Sequence, residues 1–125
     1  MNRTKVVAAI IKKDNLSLIV QRNKNKHLGL KWEFPGGKVE SKETLKQALI
    51  REIKEELNIT INVHQKIGEE KYKDSKINVI LHYFLCSHQS GTLKLNDHEN
   101  FAWVNKKNFK KYEFVEGDGN ILSLL

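Results

Sequence analysis

The stretch Pro35 to Ile59 reads PGGKVESKETLKQALIREIKEELNI, and its reading decides the fold. The only proline of the chain stands before a glycine pair. Pro-Gly-Gly ends regular structure and lets the backbone approach a ligand closely. The spacing that follows predicts a helix over 42–57. Ser41 is the expected cap, and Glu43 places negative charge in the first turn. Leu45, Leu49, Ile53 and Leu57 recur every four residues, with Ala48 and Ile50 widening the apolar face. Asn58 follows where a left-handed residue often ends a helix, a conformation that asparagine tolerates.

The polar side of the same helix carries Arg51, Glu52, Glu55 and Glu56. Positions 52, 55 and 56 stand at i, i+3 and i+4, so three carboxylates converge on one face. Like charges so placed repel and call for compensation. A hard divalent cation fits, because Mg²⁺ takes oxygen ligands and binds beside substrate phosphates. Arg51 lies four residues before Glu55 and is placed to orient a carboxylate. A solvated, charge-rich face paired with Lys42 and Lys54 is the bland alternative. The upstream Gly36-Gly37 turn, with Lys38 as an added cation, favours a metal–phosphate arrangement.

Outward from this stretch, Val6–Ile11 and Leu16–Gln21 read as a hairpin turning at Asp14-Asn15. Residues 22–31 read as a loop. Ile59–Val63 and Ile67–Lys73 look like strands, and Ile77–Cys86 like a longer one buried centrally. Gly91 marks a turn, Phe101–Val104 a short strand, and Asn105 a cap for a short helix through Phe109. Residues 119–125 are expected to begin a final helix. The result is one domain over 1–125, in which a mixed sheet is flanked by helices.

Composition narrows the class. The 125 residues are 39% hydrophobic and carry a formal charge of +7, with lysines scattered and no dense block. No apolar run approaches the roughly 20 residues that span a bilayer. The apolar run after Met1 stops at Lys12-Lys13 with no small-residue cleavage site, so the cytoplasm is the expected compartment. Cys86 is alone, inside an apolar stretch, and is expected to be a buried structural thiol.

From Gly37 to Ile59 the chain resembles the Nudix box: Gly37, five residues, Glu43, seven residues, Arg51-Glu52, an aliphatic, any residue, Glu55-Glu56, any residue, Asn58 in place of glycine, and Ile59. The departure is mild, since both residues can end a helix. The run Lys31 to Glu40, the hairpin ending at Gln21-Arg22 and the tail Phe114 to Leu122 look like the MutT branch, with its 8-oxo-dGTP diphosphatase and CTP pyrophosphohydrolase members.

The resemblance implies an α/β/α sandwich with a central mixed β-sheet. It also implies hydrolysis of a nucleoside triphosphate to a monophosphate and pyrophosphate with Mg²⁺, or Mn²⁺ as substitute. Glu52, Glu55, Glu56 and the Gly37 carbonyl would hold metal, and Arg51 would hold the glutamates. A loop carboxylate, Asp97 or Glu99, would bind metal or act as general base, with His98 between them facing solvent. Arg22, His27 and Lys38 would meet phosphates. Glu33 falls within the substrate-binding run, and Phe34 or Trp32 would stack on a base or join the core. Asp118 would read the base or cap a helix.

An ADP-ribose or dinucleoside polyphosphate hydrolase is the alternative, though the proline expected downstream of the box is missing. A non-catalytic sensor is disfavoured, because all the box carboxylates are present. No aromatic-interleaved basic stripe points to a stable nucleic-acid complex. Either a monomer or a dimer is compatible with the sequence.

Overall fold

The computed structural model describes residues 3–118 and 121–125. The strands are β1 (Thr4–Lys13), β2 (Leu16–Gln21), β3 (Trp32–Glu33), β4 (Gly36–Lys38), β5 (Thr60–Lys73), β6 (Asn78–Ser90) and β7 (Asn100–Asn105), and the α-helix is α1 (Leu45–Leu57). The strands form one mixed sheet of order β3-β2-β1-β6-β5, with β4 on β1 and β7 on β2. β1 runs parallel to β6 and antiparallel to β2 and β4.

Alternation along β1 sets the two cores. Val7, Ala9 and Ile11 face α1 and meet Ala48, Leu49, Ile53 and Leu57. Ala8 and Ile10 face the other way, toward Phe34, Tyr83, Phe109 and Ile121. Both faces are apolar because both are covered. α1 covers one. Short 3-10 turns at Lys106–Lys111 and Ile121–Leu124 help cover the other. The expected α/β layering is therefore present, with 3-10 turns rather than α-helices on the second face among the described residues. The helix expected over 119–125 is a 3-10 turn from Ile121, and positions 119 and 120 lie outside the described residues. Asn105 precedes the Lys106–Lys111 turn without a side-chain cap.

Other expectations need correction. α1 begins at Leu45, not residue 42, because Lys42 adopts φ 72, which no α-helix contains, and Glu43 therefore lies ahead of the helix rather than in its first turn. Thr44 is the cap: its side chain accepts from Gln47 N, and Gln47 returns a bond to Thr44 N at 2.9 Å. Ile50 does not widen the apolar face; it is 39% exposed. The two strands expected at 59–63 and 67–73 are one, β5, with register shifts between Val63 and Gly68 that look like a gap in the sequence. Asn58 does close the helix at φ 61. Cys86 is buried, and burial pushes its thiol up to about 12, in keeping with a structural role. No helix of the described residues is long and apolar enough to cross a membrane.

The arrangement opens a cleft. β1 pairs with β4 along Val6–Ala8 but with β2 only at Lys12-Lys13. The chain crosses between these two neighbours at Phe34-Pro35, where Ala9 N bonds the Pro35 carbonyl at 2.8 Å. Gly36 is obligatory there, since a Cβ would sit 1.8 Å from the Val7 carbonyl oxygen.

The capping box identifies a stability test. Thr44→Ala should cost about 1 kcal/mol, lowering the melting temperature by roughly 3–5 °C. Ser41→Ala should leave it unchanged. Equal effects in thermal melts would contradict the assignment of the cap.

Candidate active site

The outward face of α1 is organised by Arg51. Its Nε and Nη2 hold both oxygens of Glu43 at 2.7 and 2.9 Å. Nη1 reaches Glu52 at 2.9 Å and Glu55 at 3.2 Å, and Nη2 also bonds the Lys38 carbonyl at 3.0 Å. One planar fork thus ties the helix to the end of β4; the Gly36-Gly37 pair expected to form a turn is part of that strand. Arg51, and then the Glu40 amide, hold the Glu43 carboxyl below its usual range. Gly37 faces Glu52 so closely that a Cβ would lie 2.2 Å from Glu52 Oε2.

Glu52 and Glu56 turn toward a cavity of about 750 Å³. Gly36, Gly37 and Lys38 form its near wall, and Arg22, Lys26 and His27 stand in the loop before β3. Burial, reinforced by the nearby Glu52 and Glu33 charges, pushes the Glu56 carboxyl up to about 7, against the opposing pull of His98. Among the described residues no three acidic, imidazole or thiol groups converge as a ready-made metal shell. Glu52 and Glu55 are engaged with Arg51 instead.

His98 is not solvent-facing as expected: its side chain is 6% exposed. Nε2 lies 3.1 Å from Glu33 Oε2, and Nδ1 lies 3.3 Å from Glu56 Oε2. Glu33 in turn accepts from Arg22 at 2.9 Å, and Arg22 Nε bonds the His27 carbonyl at 2.8 Å. The sequence signals little of this, because a histidine between Asp97 and Glu99 in a polar loop carries no burial pattern.

Asp97 lines the cavity and pairs with Lys26 at 2.5 Å, which lowers its carboxyl pKa. Glu99 accepts from Lys24 N at 3.2 Å and does not line the cavity. His27 reaches across to Asp74 at 2.8 Å, and Asp74 also accepts from Tyr72 at 2.9 Å. The loop before β3, which bears Lys24, Lys26 and His27, is strained, with Leu28 at φ 59 and Leu30 at φ 67. Lys26, Tyr72 and Asp74 escaped the sequence reading; only their partners reveal them.

Asp118 is buried at the cavity floor, 1% exposed. One oxygen accepts from the Phe34 amide at 3.0 Å and the other from the Tyr83 hydroxyl. Burial pushes its carboxyl up to about 7, and the Glu33 charge adds to this. Phe34 borders the cavity, but its ring packs on Phe109 and Phe114 at 6.0 and 5.6 Å. Trp32 packs edge-on against Tyr112 at 5.0 Å. Both rings therefore serve packing as they stand.

A family model described as NUDIX domain matches residues 1–125. The CTP pyrophosphohydrolase of Escherichia coli K12 is 34% identical over 118 residues, which is 94% of this chain and 87% of that protein. The 8-oxo-dGTP diphosphatase of Buchnera aphidicola subsp. Schizaphis graminum is 31% identical, over 98% of this chain and 92% of that one. The crystal structure of the MutT protein from Methanosarcina mazei Go1 superposes with a TM-score of 0.88 at 25% identity, covering 99% of this chain and 94% of that one.

The Asp118 carboxyl has a folded pKa above its unfolded value of 3.8. Its protonated form is favoured by folding, so this contribution is complete at acid pH and is lost as pH rises through about 7. In Asp118→Asn the amide can accept from Phe34 N and donate to Tyr83, and the titration disappears. Melting temperatures at pH 5 and pH 8 should therefore shift in favour of the variant at the higher pH. Parallel profiles would refute the raised pKa.

Proposed function

The chain belongs to the Nudix family and is a pyrophosphohydrolase of nucleotide derivatives; we propose that its substrate is a nucleoside triphosphate with an oxidised or modified base, of 8-oxo-dGTP or cytidine type, cleaved to a monophosphate and pyrophosphate. One observation carries this reading. Glu52 and Glu56 of α1 and Gly37 of β4 border the same cavity as Arg22, Lys26 and Lys38, with Glu55 outside its lining. Acidic and basic walls facing one cleft suit a polyphosphate bound with a cation. The names of the two relatives support the choice of substrate. The cytoplasm, where free nucleotides are made and used, is the proposed compartment.

The donor set fits a hard divalent ion. Glu56 is a half-buried carboxyl whose pKa is pushed up to about 7, chiefly by burial and further by the Glu52 and Glu33 charges, so a cation bound beside it would favour its ionised form. Mg²⁺ usually takes one or two carboxylates plus phosphates and waters, so a closed protein shell is not required. Glu52, Glu55, Glu56 and the Gly37 carbonyl would hold Mg²⁺, or Mn²⁺ in its place. Bound there, the ion would neutralise phosphate charge and acidify the attacking water. Arg51 keeps Glu52 and Glu55 aligned. Arg22, His27 and Lys38 meet the phosphates, Arg22 from its pairing with Glu33. Asp97, kept ionised by Lys26, accepts the water's proton; its place on the cavity wall favours it over Glu99. Asp118 receives the base at the cavity floor, with the Phe34 backbone and Tyr83 fixing its orientation.

When NTPs, dNTPs, 8-oxo-dGTP and 5-substituted dCTPs are screened with Mg²⁺ beside ADP-ribose, the best substrate should be a triphosphate that yields pyrophosphate and a monophosphate. In ¹⁸O-water the label should enter pyrophosphate, reporting attack at the β-phosphorus. Excess EDTA or Glu56→Gln should reduce turnover by roughly a hundredfold or more without unfolding the protein. Orthophosphate plus a diphosphate, or full activity in EDTA, would overturn the proposal.

Asp118→Ala should lower kcat/KM for the best substrate by roughly one to two orders of magnitude and leave poor substrates nearly unchanged. A uniform loss across the panel would mean that Asp118 only supports the fold.

A further inference from the structure

His98 is not accounted for by the reading above, although it is the most enclosed imidazole of the cavity wall, with a side chain 6% exposed. It stands between two carboxylates of different elements: Glu33 at the end of β3, and Glu56 in the last turn of α1. Nε2 is hydrogen-bonded to Glu33. Nδ1 is shielded from solvent and makes no aligned hydrogen bond, and Glu56 Oε2 at 3.3 Å is the acceptor beside it. A buried nitrogen in that position favours the Glu56 rotamer that brings the carboxylate onto it. On its other side the ring buttresses Glu33, whose second oxygen holds Arg22 at 2.9 Å.

We infer that His98 is a positioning residue: through Nδ1 it sets the Glu56 carboxylate toward the cavity, and through Nε2 it fixes the Glu33–Arg22 pair. The ring thereby couples the metal-holding side of the site to its phosphate-holding side. The inference rests on the assignment of Glu56 as a metal ligand. Groups that orient a ligating side chain typically change metal affinity or activity by about 10–100-fold when removed.

The two nitrogens can be tested apart. An asparagine amide nitrogen falls near the place of Nδ1, and a glutamine amide nitrogen near that of Nε2. His98→Asn should keep Mn²⁺ affinity and kcat close to wild type while raising KM, because only the Arg22 side is loosened. His98→Gln should keep KM, but weaken Mn²⁺ binding about tenfold and lower kcat to match. Mn²⁺ affinity is read without nucleotide, from the free-ion electron paramagnetic resonance signal during titration. A merely structural histidine would give two variants that differ from wild type in the same direction and degree. That result, or wild-type behaviour in both, overturns the inference. Glu56→Gln measured alongside separates the levels. If it binds Mn²⁺ and turns over normally, the assignment of Glu56 fails. If it is inactive while both His98 variants match wild type, only the role of His98 fails.

Discussion

One guanidinium faces four glutamates. Arg51 lies within 4 Å of Glu40, Glu43, Glu52 and Glu55, and its charge can neutralise only one of them. An exposed ion pair contributes little, but this fork is held on several sides and three-quarters shielded, so its geometry is fixed rather than sampled. The consequence is local over-acidity by design. Glu56, beyond the reach of Arg51, meets that excess charge inside a partly buried wall. The rest of the site follows from where the missing positive charge has to come from: the loop lysines and arginine and, in the proposed reaction, a bound cation.

The cleft that receives them is a property of the sheet. Had β2 paired with β1 along its full length, the edge of β1 would be closed and no cavity would form. Instead β4 takes the first half of that edge. The Phe34-Pro35 crossing lies at the junction and presents the Phe34 amide to Asp118. The backbone that opens the cleft thus also fixes the acid at its floor. Glycine at 36 is what allows the crossing to lie against β1, and glycine at 37 what allows Glu52 to approach β4.

The local part of this architecture is legible in the sequence. The four-residue recurrence from Leu45 to Leu57 gives the buried face of α1, and Asn58 its end, because both are decided within one turn of helix. The start of α1 is misread, since Lys42 takes a left-handed conformation that no residue type announces. β5 is misread as two strands, since its irregularities fall between Val63 and Gly68 and interrupt the alternation. The box carboxylates are found because they share a helix. His98, Lys26 and Asp74 are not, because each acquires meaning from a residue far along the chain: Glu33, Asp97 and His27 respectively. Asp118 is legible only as a candidate; its burial depends on Tyr83, which the sequence presents as one more member of an apolar run.

The parallel pairing of β1 with β6 has a consequence for how the chain reaches this state. Partners such as Thr4 and Val79, or Lys12 and Ser87, are separated by about 75 positions, so the central pairing of the sheet has a high contact order and forms late. Until β6 emerges from the ribosome, the β1–β2 hairpin is apolar on both faces and one edge of β1 is unpaired. Such a segment is an aggregation template. Lys12 and Lys13 at the tip, beside Asp14 and Asn15, place charge where a gatekeeper would be needed to keep the nascent hairpin soluble until its central partner has been synthesised.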